Sequence, residues 1–255
     1  MKHQNESDGK DILKHHARKG SVMKVIGVIL FITLILSVAY SLVRFLIAPT
    51  ELSPGTEYQK LKSDYLLMLT QCVLGLIVMM LPSMLARRWK IVLPDVIVVL
   101  YYVFLYCAIF LGEIFDFYYR IPYWDTILHA FSGAMLGALG FALVDFLNRD
   151  RGTRVSLSPF FVALFAFSFA LAAGALWEIY EFSFDALLGL NMQKHTTAEG
   201  TVLVGASALS DTMEDLIVDG IAAFAVAVIG FVQNTALLRH GKRTAPEGDD
   251  ENPRI

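Results

Sequence analysis

Charge is scarce in this chain. Asp, Glu, Lys and Arg make up 18% of its 255 residues, against about a quarter in soluble domains, while 56% are hydrophobic. An ordinary water-soluble domain is thereby excluded. Net charge is −3, so the basic face that nucleic-acid binding needs is missing. Only two cysteines occur, Cys72 and Cys107. Both lie inside apolar runs without metal-site spacing, and they read as small packing residues. Histidine is sparse where it would matter. His3, His15 and His16 are scattered in a polar tail, and His129 alone lies within an apolar run. The three-histidine pattern of membrane zinc hydrolases is therefore absent. So are the Glu-x-x-His pairs of di-iron bundles, the G-x-S-x-G elbow and any Cys/His nucleophile arrangement.

Long apolar runs are what the chain does have. Six reach the roughly 20 residues needed to cross a bilayer: 22–48, 65–86, 91–112, 124–146, 159–182 and 213–238. The first exceeds the apolar core of a signal peptide and no A-x-A site follows, so it reads as a signal anchor. The expected fold is all-α: a polytopic membrane bundle of about six transmembrane helices. Residues 1–21 form a polar cytoplasmic tail, 22–238 the six-helix domain, and 239–255 a tail of disordered composition. Sixteen of the 21 Lys and Arg residues fall on the side of the two tails and the second and fourth connections. The positive-inside rule then predicts both termini in the cytoplasm of a bacterial plasma membrane. In the longest outer connection, the apolar stretch 201–209 reads equally as an interfacial cap or a surface loop.

The few charges within or beside these runs gather at the predicted outer ends. Glu113 and Asp116 follow the third run, and Asp125 and His129 open the fourth. Glu178, Glu181 and Asp185 close the fifth, while Asp211, Asp215 and Asp219 open the sixth. Ionisable groups in apolar spans are costly and mark functional sites by default. Helical spacing sharpens this. Asp125, His129, Gly133 and Gly137 share one face, as do Gly174, Glu178, Glu181 and Asp185. Asp211, Asp215, Asp219 and Ala223 repeat the pattern. Small residues admit close helix neighbours, so these faces should point into the bundle and carry the acids with them. Asp116, Asp185, Asp211 and Glu214 also fit ordinary polar helix ends. Trp124, Tyr118, Tyr119 and Tyr123 fit an interfacial aromatic belt. Packed carboxylates must take up protons or share a cation. A divalent cation held by Asp125, His129, Glu178, Glu181, Asp215 and Asp219 is one expectation, with an oxygen-rich set suiting Mg²⁺, Ca²⁺ or Mn²⁺ and the imidazole keeping Zn²⁺ or Fe²⁺ open.

The blocks G-E-I-F-D-F-Y (112–118), Y-W-D-T-I-L-H-A-F-S-G (123–133), W-E-I-Y-E (177–181) and D-T-M-E-D-L-I-V-D-G-I-A-A (211–223) resemble the YjdF-type family of bacterial membrane proteins. That resemblance has no activity attached, and implies as polar positions Glu113, Asp116, Trp124, Asp125, His129, Glu178, Glu181, Asp211, Asp215 and Asp219. A second similarity is to VanZ-like proteins, through Asp125/His129, Glu178 and Asp215/Asp219, with Asp219 in place of their Asn. It implies a cell-envelope or lipid-linked setting. Three functions stay open: an enzyme acting on a lipid or lipid-linked substrate, with His129, Asp125, Glu178 and Glu181 catalytic; a proton- or cation-coupled transporter or flippase; and a non-catalytic envelope factor. The bilayer is the expected partner in each, and nucleic acid in none.

Overall fold

In hydrocarbon every backbone N–H and C=O must be satisfied within the chain, and a helix does this locally. The computed structural model describes residues 2–51, 59–91, 93–150, 157–197 and 200–244. Among these the chain is helical throughout its apolar runs, and its one β pairing is an isolated bridge between Thr196 and Val202. The elements are α1 (Lys2–Ile47), α2 (Lys62–Val78), α3 (Leu81–Arg88), α4 (Asp95–Leu105), a π-helix (Tyr106–Ile114), α5 (Phe117–Arg120), α6 (Trp124–Asp150), α7 (Pro159–Leu188) and α8 (Ala206–Thr244).

Among the described residues, six helical spans are long and apolar enough to cross a membrane. They are Val22–Ile47, Lys62–Arg88, Asp95–Ile114, Trp124–Asn148, Pro159–Leu188 and Ala206–Leu238. The expected runs map onto them one for one, with shifted ends. The sixth starts earlier than expected, because the polar residues Ser210–Glu214 continue one helix rather than precede it. Ala206–Leu209, the last four residues of the stretch expected as a cap or loop, form the first turn of α8. α8 also runs to Thr244, past the expected start of a disordered tail at Arg239, and 245–255 lie outside the described residues.

Local signals explain the best-defined boundaries. Ser158 accepts a hydrogen bond from the Phe161 N–H and Pro159 takes the first helical position, which together start α7. Gly189, at φ 63°, ends it in the left-handed conformation that an L side chain resists.

The helices form two groups. α6, α7 and α8 pack against one another; α1 packs on α2, α4 and the π-helix; α4 against α6 joins the groups. Leu30 and Leu34 of α1 meet Cys72, Met79, Leu105 and Ile109 in the larger buried cluster. Leu36, Ile77, Leu176 and Ile221 point outward, as side chains facing lipid should.

Candidate functional site

The site is assembled where α6, α7 and α8 meet. Each helix contributes its polar stripe, and glycines let the stripes close. A Cβ built on Gly133 would lie 2.7 Å from the Asp219 carbonyl oxygen, and one on Gly174 would lie 2.5 Å from Asp219 Oδ2. The two glycines leave the space that the Asp219 side chain occupies, and Asp219 is only 2% exposed.

His129 is the centre. Its Nδ1 lies 3.3 Å from Asp219 Oδ2. The Ser132 hydroxyl is 3.1 Å from the other Asp219 oxygen and 2.9 Å from the His129 carbonyl. With Nδ1–H donating to Asp219, Nε2 is aimed at three further carboxylates. Asp125 Oδ1 and Asp215 Oδ2 are each 3.8 Å away, and Glu178 Oε1 is 3.9 Å away. A carboxylate on the far nitrogen fixes the tautomer and ring orientation of a ligating histidine. Asp125, His129 and Asp215 offer ligand atoms within 4.8 Å of one another. Glu178 is 5% exposed, and its Oε1 has no hydrogen-bond partner. A buried carboxylate oxygen left bare costs free energy, so this atom asks for a proton or a cation.

Glu181 lies on the wall of a cavity of about 300 Å³ that runs from this cluster between the helix groups. Tyr118, Asp125, His129 and Asp219 line its polar end; Leu74, Leu105 and Leu136 line the remainder. Burial pushes the Tyr118 phenol well above its usual pKa, with Asp125, Glu113 and Glu181 adding to the shift, so the hydroxyl stays protonated beside the carboxylates.

Of the other residues expected at the site, Glu113, Asp116 and Trp124 take partners away from His129. Glu113 accepts a 2.8 Å ion pair from Lys194, whose ammonium also sits 4.3 Å from the centre of the Tyr118 ring. Asp116 pairs with Lys60 and, at 3.7 Å, with Arg120, in a separate pocket of about 280 Å³. Trp124 packs edge-on against Phe117, with ring centres 5.0 Å apart. Asp211 stands one turn before Asp215, half-buried and without an ion pair among the described residues. Asp185 accepts from the backbone N–H groups of Met192 and Gln193 at 2.7 and 3.0 Å, so it shapes the loop after α7.

Sequence reasoning missed three contributors. Ser132 follows His129 by three residues and was findable from helical spacing. Tyr118 read as a belt residue, yet it lines the cavity. Lys194 carried no local signal, because a lone lysine in a loop reads as solvated. Burial works against its charge, but Glu113 and Tyr119 outweigh that and hold its pKa above a free lysine's.

The description of one protein family, "Predicted membrane protein (DUF2238)", fits this chain over residues 29–236. An uncharacterized protein of Thermotoga maritima is 29% identical over 127 residues, covering 49% of this chain and 56% of that protein. The matched part therefore spans little more than half of that relative's length. No solved structure matches the chain.

Proposed function

The chain belongs to the DUF2238 family of predicted membrane proteins, and from that premise we propose that it is an integral-membrane enzyme. It uses a divalent cation at His129 to act on the polar head of a lipid or lipid-linked substrate. The observation that carries the reading is the Asp219–His129 pair, which turns Nε2 toward Asp125, Asp215 and the buried Glu178, whose Oε1 accepts no hydrogen bond. Asp125, His129 and Asp215 are the proposed ligands, and such an oxygen-rich set with one imidazole suits Mn²⁺, Mg²⁺ or Zn²⁺. A cation there binds an anionic head and lowers the pKa of bound water. Glu178 stands beside it as general base, and Glu181 faces the substrate space. The Lys and Arg asymmetry supports both termini on the cytoplasmic side of a bacterial plasma membrane, with the cluster toward the outer face. The YjdF-type motif blocks support a finer placement within the family. The VanZ-like Asp-x-x-x-His supports the envelope setting.

The test is thermal unfolding of purified protein in detergent after EDTA, then with each metal added. A cation at a hundred times its Kd stabilises by about 2.7 kcal/mol, or roughly 5–10 °C for a chain of this size. His129→Ala and Asp215→Asn should lose that response, while Gly137→Ala, whose added Cβ meets only Val226 and Ala223, keeps it. A wild type indifferent to Mg²⁺, Mn²⁺, Ca²⁺ and Zn²⁺ would overturn the metal reading.

A further inference from the structure

We infer that the cavity beneath His129 is a seat for one hydrocarbon chain of an anionic membrane lipid, whose head lies against the acid cluster and whose chain is threaded in sideways between α2 and α7. This deepens the proposed function, on which its choice of an anionic head rests.

Three observations carry it. The first is the shape. On α6 the wall runs from Asp125 to Leu136, about 16 Å along the helix at 1.5 Å per residue. A volume of about 300 Å³ spread over that length makes a slender tube rather than a round pocket. The second is polarity. One end carries Asp125, His129, Glu181 and Asp219; the walls below are Leu74, Leu105, Ile109 and Leu136. A compact polar metabolite would leave those walls uncovered, while an amphipath satisfies both ends. The Glu178 Oε1 that lacks a hydrogen bond is not on the cavity wall, but it lies 3.9 Å from the Nε2 of His129, which is.

The third is access. Gln71 and Leu74 of α2 face Ala173 and Trp177 of α7 across the cavity. Yet among the described residues these two helices share no extensive packing; α2 packs mainly on α1 and the π-helix, and α7 on α6 and α8. Leu67 closes the seam only at the polar end, where it meets Leu190 and Met192 with Tyr180 and Phe184 alongside. Further along, Ile77 and Leu176 point out to lipid. Among the described residues the seam between α2 and α7 is thus closed near the headgroup level and only sparsely packed within the apolar layer, where a chain would slide in without meeting water.

The experiment uses full-length protein in detergent and dodecyl phosphate bearing a terminal diazirine. After irradiation, labelled residues are mapped by mass spectrometry. Labels are expected on Leu105, Ile109 or Leu136. Excess unlabelled dodecyl phosphate should suppress them at least tenfold. Inorganic phosphate, which lacks the chain, should not, and dodecyltrimethylammonium, which reverses the head charge, should compete poorly. Ala173→Phe and, from the opposite wall, Ala108→Phe should cut labelling tenfold while leaving metal-induced thermal shifts intact. Should either variant fail to fold, the label positions in wild type still decide. Labels confined to lipid-facing Ile77 and Leu176 would overturn the inference, as would equal competition by the cationic analogue. Cavity labelling without any metal response keeps the chain seat but removes the metal reading and, with it, the anionic head. A metal response without cavity labelling does the reverse.

Discussion

Adding one methyl group at chosen glycines tests how closely α6 and α8 approach around Asp219. A Cβ at position 133 would meet the Asp219 carbonyl oxygen at 2.7 Å and its Cα at 2.9 Å. Ordinary contact begins near 3.4 Å, so backbone must retreat by about 0.7 Å in an interior that is already close-packed. Such overpacking costs about 1–3 kcal/mol, only partly offset by the roughly 1 kcal/mol that Ala gains over Gly in a helix. At Gly140 the obstacle is also backbone, the Ala166 Cα at 2.7 Å, but no site residue is involved. At Gly137 it is the Val226 side chain at 3.3 Å, which can yield a few tenths of an ångström. At Gly220 only Leu171 Cδ1 comes near, at 3.7 Å. The expected order of stability is Gly220→Ala at or above wild type, then Gly137→Ala, then Gly133→Ala and Gly140→Ala lowest. With about 2–4 °C per kcal/mol at this chain length, Gly133→Ala should melt roughly 2–12 °C below Gly220→Ala, since the helix gain is common to both. Scanning fluorimetry in detergent reads the order. Only Gly133→Ala should also weaken the metal-induced shift, because only it displaces Asp219 from His129. Equal melting of all four variants would refute the helix approach argued here.

Three further outcomes are expected. Lys194→Met leaves Glu113 buried and unpaired, which costs about 3–5 kcal/mol, and adding Glu113→Leu should recover much of it in a double-mutant cycle. Because folding raises the Lys194 pKa, its contribution is complete below the free lysine value. It is lost as pH climbs through the higher folded value, so wild type but not Lys194→Met should lose melting temperature above about pH 10. For orientation, Thr201→Cys in a chain with Cys72 and Cys107 replaced should react with an impermeant maleimide on intact cells. Reaction only after permeabilisation would reverse the topology.

The lysine, the π-helix and the glycines show where sequence reading stops. Six spans were legible because hydrocarbon forces long unbroken apolar helices, and no folding detail can hide that periodicity. The inward direction of Asp125, His129, Glu178 and Asp219 was legible too, since each shares a face with glycines or alanines that admit close neighbours. Helix ends were less so. Ser210–Glu214 is polar yet helical, because polar residues at a membrane surface leave a helix undisturbed.

What the chain by itself determined is thus the number of spans, their approximate limits and which faces carry the acids. Which acids meet was decided by tertiary structure alone. Spacing along single helices placed Glu113 and Asp211 beside the cluster as readily as Asp215. The packing of α6, α7 and α8 chose Asp215, and the wide turns of Tyr106–Ile114 delivered Glu113 to Lys194 instead. The partner of His129 Nδ1 is Asp219, ninety residues away. The cavity depends on α2 and α7 meeting at one end, through Leu67, Tyr180 and Phe184, without extensive packing along the rest. Local sequence sets the period of a helix and the face it presents, but contacts between helices depend on rotation and depth, which arise only when all six are docked.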